Sequence, residues 1–578
     1  MGTFHSICLK ILKREIEALG YNKNFLIYDY NDQVSLVRSV MNDLDISTKQ
    51  YNPKGMLEKI SRMKSSLISH DEFSQNAKNH KEKLLSAIYD DYQASLAKNN
   101  ALDFDDLIML TVTLFKKHPE ILAKYQNFFK YILVDEYQDT NHSQYKLINL
   151  LAGKHRNLFV IGDDFQSIYK WREADIKNIL DFEKDYPEAK VIMLEQNYRS
   201  TKNIINAANS VIANNPNQKH KNLWTENDHG QVIEAKELYD QRQEANFIVQ
   251  KVSKFSSQNR DLNDLTILYR THAQSRTLEE EFIKRGIPYR IIGGIRFYER
   301  REIKDVLAYL RLAYNPSDSV SFDRVYNTPE RGLGKITYEK LKKSIFQSGS
   351  TVKGLRSAID DHGFSGQRAQ SISKLANFLE SIHEKSSELA LSELVTYILK
   401  SVDYKSYIDD GTEEGKERWK NVKEIFTATK KYDPPAIENA QALRLRSGQV
   451  GLVNFLEEVA LIQETDKILD NSQAVNLMTF HAVKGLEFPI VFMAGMEDGV
   501  FPHSQSLFNQ EELEEERRLC YVGITRAKEE LYITFCRQRM LHGSTQFNPP
   551  SRFLFEIPEN NINFSTIEDG ESGYKLYY

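Results

Sequence analysis

Cysteine is scarce, and Cys8, Cys520 and Cys536 are the only three in 578 residues. They lie far apart without paired Cys/His spacing, which excludes a disulfide framework and a clustered zinc site and fits a reducing cytoplasm. No apolar run approaches the roughly 18 residues of a membrane span and no signal peptide opens the chain, so no membrane partner is expected. A basic excess is missing too. A formal charge of −5 and a pI near 6.3 provide no global field for nucleic acid, so any such contact must come from local patches. The pattern Gly-x-x-x-x-Gly-Lys-[Ser/Thr] does not occur, because the Gly-Lys pairs at 153, 334 and 415 lack both the upstream glycine and the following hydroxyl. The chain has no repeat of fixed period and no low-complexity tract.

Hydrophobic residues make up 41% of the sequence, enough to give each of three or four domains a core. The most informative stretch is Tyr131-Ile-Leu-Val-Asp135-Glu136-Tyr137-Gln138-Asp139-Thr140, an apolar run ending in two adjacent carboxylates. A run without alternation predicts a strand buried on both faces of a parallel sheet, and ligands bind such sheets beyond the carboxyl ends of their strands. Two later runs stop in the same way. Leu158-Phe-Val-Ile161 leads into Gly162-Asp163-Asp164-Phe165-Gln166-Ser167-Ile168-Tyr169-Lys170-Trp171-Arg172, and Val191-Ile-Met-Leu194 leads into Glu195-Gln196-Asn197-Tyr198-Arg199-Ser200-Thr201. At a strand end, one carboxylate can hold Mg²⁺ on phosphates while its neighbour orients the attacking water. For a lone Asp-Glu pair a solvated corner would be the better account. Three strand ends delivering polar groups to one edge favour a nucleotide site.

These ordered blocks resemble the superfamily-one DNA helicases of the UvrD, PcrA and Rep type, from Thr3-Phe4-His5-Ser6 to about Phe553. The resemblance implies an α/β fold of two RecA-like P-loop-NTPase-type parallel-sheet domains, each carrying a mostly helical insertion. It implies ATP and Mg²⁺ as cofactors, single-stranded and duplex DNA as partners, and 3′-to-5′ unwinding in repair or replication, without naming protein partners. By resemblance Asp135, which also holds the metal, and Glu136, Gln166, Arg199 and Arg526 are catalytic. Tyr198, Arg199, Glu487 and Arg526 touch the nucleotide. Thr3, Phe4, His5, Tyr169, Trp171, Arg172, His481, Gly332 and Gly334 touch DNA. Tyr169 and Trp171 could stack on bases without reading sequence. Taken singly, an ion pair of Arg526 with Glu529 or Glu530, a core role for the two aromatics and a structural role for His481 remain open. The chain departs from the helicase pattern at Phe165, where a carboxylate is most common, and at Glu173, where glycine is.

The period of the sequence predicts a packed helix over residues 7–20 ended by Gly20, then a helical insertion at 28–99. The expected division is 1–27 and 100–194 for the first α/β domain, 195–299 and 470–556 for the second, 300–469 for its insertion, and a disordered tail at 557–578. Loops are expected at Lys430-Lys-Tyr-Asp-Pro434-Pro435 and Arg446-Ser-Gly448. The helicase pattern places its phosphate-binding loop before the Thr-Phe-His-Ser block, so the sequence reads as lacking that portion, and its first sheet as lacking a central strand. The alternative reading is a catalytically inactive helicase-like DNA-binding or regulatory protein. An unrelated nucleotide-binding protein would not explain the order of the blocks.

Overall fold

The computed structural model describes residues 1–48, 50–433, 449–459 and 473–567. Helix α1 (Phe4–Glu15) starts where the Thr3 hydroxyl accepts the Ser6 N–H and buries Cys8, Ile11 and Leu12. A short turn carries it to Gly20, whose φ of 86° ends the element as the glycine predicts. Strands β1 (Leu26–Ile27) and β2 (Ala101–Leu102) pair in parallel and frame four helices, α2 (Tyr30–Asp43), α3 (Pro53–Ser65), α4 (His70–Asn76) and α5 (His80–Lys98). Each of the four is capped by Asp29, Asn52, Ser69 or Asn79, whose short side chain accepts a first-turn amide. Helix α6 (Phe104–Lys117) begins with an Asp103/Asp106 capping box, and both carboxylates also receive the fully buried ammonium of Lys64 from α3.

Strands β3 (Ile132–Val134) and β4 (Leu158–Val160) form a parallel pair of their own. The main sheet has seven strands in the order β13-β5-β10-β9-β6-β8-β7, all parallel. They are β5 (Ile233–Leu238), β6 (Leu265–Tyr269), β7 (Tyr289–Ile292), β8 (Val475–Thr479), β9 (Phe488–Met493), β10 (Ala527–Cys536) and β13 (Ile562–Ser565). Strands β11 (Arg539–Leu541) and β12 (Ser544–Gln546) make an antiparallel hairpin beside it. Between β7 and β8, the described residues from 301 onward form helices around a separate core that includes Tyr309, Leu341, Ile382 and Tyr404.

Three expectations need correcting. The run at 131–134 is not buried on both faces, since Tyr131 and Leu133 are more than 70% exposed, because its sheet has only two strands. Residues 191–194 pair with no strand; they are exposed, and Leu194 is 81% accessible. The supposed tail is ordered at least to residue 567, because β13 pairs with β5 along the sheet edge and buries Ile562. Residues 568–578 lie outside the described residues, as do Pro434, Pro435 and Arg446-Ser-Gly448 of the two expected loops.

Candidate functional site

The chain turns sharply at the end of β3. Glu136 takes a left-handed φ of 50°, and its amide donates to Asp135 Oδ1 at 2.9 Å. Gln138 Nε2 donates to Glu136 Oε2 at 2.5 Å, and its own carbonyl oxygen receives the Asp163 amide from the loop after β4. Gly162 precedes that amide, and a β-carbon there would lie 2.6 Å from Gln138 Oε1, so a larger residue would push the Gln138 side chain aside. Lys484, from the segment after β8, reaches into the same corner. Its ammonium lies 2.5 Å from Asp139 Oδ2 and 3.5 Å from Glu136 Oε2, and donates to the Gln166 carbonyl at 2.8 Å. Burial pushes the Asp139 carboxyl up, against the pull of Lys484.

Gln166 joins the two halves. Its Nε2 donates to Asp163 Oδ2 at 2.7 Å, and its Oε1 receives Arg526 Nη2 at 3.4 Å. Arg526 is buried and also donates to the Val522 and Leu486 carbonyls; burial first, and then Arg199, bring it down to about 10. A surface pair for Arg526 is thereby excluded, since Glu529 pairs with Arg260 and Glu530 accepts the Tyr532 hydroxyl. Arg199 stands close enough to Arg526 to be felt by it, and Glu487 holds it. Its Nε lies 2.5 Å from Glu487 Oε2 and its Nη1 donates to the Thr525 carbonyl. Hydrogen bonds from Lys528 and then Arg199 hold the Glu487 carboxyl down to about 2. Tyr198 stands beside Arg199, 79% exposed, its hydroxyl donating to Gln196.

The loop that carries Gln166 continues into aromatics. Tyr169 and Trp171 lie edge to face at 6.3 Å, and the Arg172 guanidinium sits 4.6 Å from the Trp171 ring. Trp171 is 55% exposed, whereas the Lys484 ammonium lies 5.1 Å from the Tyr169 ring. One lysine thus touches both the carboxylate corner and the aromatic face. His481 is held neutral, pushed down to about 3 by burial and by Arg270 and Arg172. Phe4 packs on the α1 core, and His5 sets its ring against exposed Phe104 at 6.0 Å. Gly332 (φ 69°) and Gly334, which begins the helix Lys335–Ser348, belong to the helical insertion rather than this cleft, and a β-carbon at either would meet open space.

Both departures from the helicase pattern have a local account. Phe165 is buried edge to face on Tyr521 at 5.4 Å and lies under the Lys221 ammonium at 3.8 Å. Lys221 pairs with Asp164 at 2.6 Å and also with Asp163, which supports Gln166. Glu173 adopts a left-handed φ of 63° and ends the turn containing Trp171. Reasoning from sequence passed over Lys484, Asp139 and Lys221. Only Lys484 left a signal, the Lys-Gly turn after a strand.

A carboxylate after β4 meets a buried arginine of the main-sheet half through Gln166, on a loop that also displays exposed Trp171, the arrangement expected of a helicase-type cleft. Residues 1–187 match the UvrD/REP helicase N-terminal domain and residues 192–538 the UvrD-like helicase C-terminal domain, so the chain belongs to the UvrD-like helicase family. It is 45% identical over 574 residues to the ATP-dependent DNA helicase PcrA of Bacillus subtilis (strain 168), which covers 97% of this chain and 76% of the relative. The proteins of that name from Staphylococcus epidermidis (strain RP62A) and Staphylococcus aureus (strain Mu50) are each 43% identical, with 99% of this chain and 78% and 77% of the relatives covered.

Proposed function

We propose that the chain is an ATP-dependent 3′-to-5′ DNA translocase and helicase acting where single strands meet duplex, in repair or replication. The observation that carries this reading is the Gln166–Arg526 hydrogen bond, which joins the two α/β halves on the loop that displays Trp171. We assign residues 1–27 and 100–194 to the first α/β domain, 195–299 and 470–556 to the second, and 28–99 and 300–469 to helical insertions.

In this reading Asp135 holds Mg²⁺. The residue fits, since it is exposed, one oxygen is engaged by the Glu136 amide and the other has no partner among the described residues. Glu136 orients the attacking water, and Gln166, Arg199 and Arg526 meet the γ-phosphate, where an arginine neutralises developing charge. Arg199 would exchange Glu487 for phosphate. Tyr198 and Glu487 hold the nucleoside end, and Lys484 and His481 relay the occupied cleft to Tyr169 and Trp171. DNA phosphates supply most of the affinity and stacked bases the remainder. The duplex meets the Gly332 to Gly334 turn.

A second reading rests on one observation, the lack of a Gly-x-x-x-x-Gly-Lys-[Ser/Thr] cradle in this sequence. Without positioned β- and γ-phosphates the cleft residues have little to act on. We therefore expect this chain alone to bind DNA while turning over ATP slowly. Steady-state hydrolysis with and without single-stranded DNA tests this. Turnover typical of a motor and abolished by Glu136→Gln would show that the chain is a competent enzyme as it stands; DNA binding without turnover supports the expectation.

A further inference from the structure

Glu173 holds a backbone conformation that glycine adopts freely and a residue with a β-carbon adopts at a cost (φ 63°, ψ 19°). It directly follows Trp171 and Arg172. Its carboxylate lies 3.3 Å from the Nε of Arg62, which projects from the last turn of α3 in the first helical insertion. Arg62 also feels Glu58 one helical turn earlier. A guanidinium that reaches a loop displaying an exposed aromatic would ordinarily be available to phosphate. Here a carboxylate of the stacking loop itself engages it.

We propose that the Arg62–Glu173 ion pair is a gate on the path of single-stranded DNA. The pair ties the aromatic loop to α3 and keeps Arg62 off the backbone phosphates, so the residue at 173 sets how tightly single strands bind. The proposal rests on the reading of the Tyr169 to Arg172 loop as a stacking surface. Both partners are partly exposed, at 59% and 36% for Arg62 and Glu173, so the gate is weak and a phosphate can compete for it.

The test is equilibrium binding of a labelled, mixed-sequence oligonucleotide to the full chain across a series of salt concentrations. Glu173→Gly and Glu173→Gln should each bind about two- to fivefold tighter, the range that an exposed ion pair supports. The dependence of log affinity on log salt should steepen by about 0.7, the contribution of one added phosphate contact. Adding Arg62→Ala to Glu173→Gly should cancel both effects. Parental affinity and slope in both Glu173 variants, with Trp171→Ala weakened, overturn the gate and leave the stacking loop intact. A Trp171→Ala chain that binds as tightly as the parent removes the loop's role, and the gate with it.

Discussion

Lys484 reaches Asp139 across 345 positions of sequence and makes the Gln166 carbonyl its second partner. Asp139 is mostly buried, so Lys484→Met leaves a carboxylate without compensation, and we expect a loss of about 1–3 kcal/mol in urea unfolding. An unchanged midpoint and slope would show the pair to be ornamental. His481 gives a pH signature. Its folded value near 3 lies below the ordinary 6.5, so folding favours the neutral ring. That contribution is complete above about pH 6.5 and is lost as pH falls toward 3, by at most about 1.4 kcal/mol per unit. Between pH 7.5 and 5.5 the parent should lose more stability than His481→Asn, and equal losses would contradict the assignment. Asp135, Glu136, Gln166 and Arg526 were legible because each sits in a continuous block at a strand end. Asp139 and Lys221 were not, because each finds its working partner in another part of the chain.

At the scale of elements, an unbroken apolar run describes a strand's surroundings only when the neighbouring strands are there. Leu265-Thr-Ile-Leu-Tyr269 is buried throughout because β9 and β8 flank it, whereas the equally apolar run at 131–134 has one neighbour and exposes Leu133. β5, β7 and β13 went unread because charged residues interrupt the first two and β13 lies in a polar terminus. The glycine stop was read more reliably, at Gly20 after the first helix. The Lys64 contact also crosses elements, fixing α3 to the start of α6 through Asp103 and Asp106. Removing one partner of a buried ionic cluster leaves uncompensated charge, so Lys64→Ala should cost about 3–5 kcal/mol in thermal or chemical unfolding. A cost below about 1 kcal/mol would mean that water reaches the two aspartates.

Across the whole molecule, the loop from Asp163 to Glu173 is shared between the halves. Ser167 donates to the Gln138 carbonyl on one side; Phe165 and Ile168 join the core of the main sheet, and the Lys170 amide donates to Glu515 on the other. A change at the cleft therefore has a direct route to Trp171. The account depends on this loop meeting single-stranded DNA, and affinity of the full chain for unrelated oligonucleotides, measured from low to moderate salt, tests that most directly. We predict binding that is nearly independent of sequence, falls steeply with salt, and weakens by about 1–3 kcal/mol in Trp171→Ala. No binding at low salt, or a Trp171→Ala chain as tight as the parent, would contradict it.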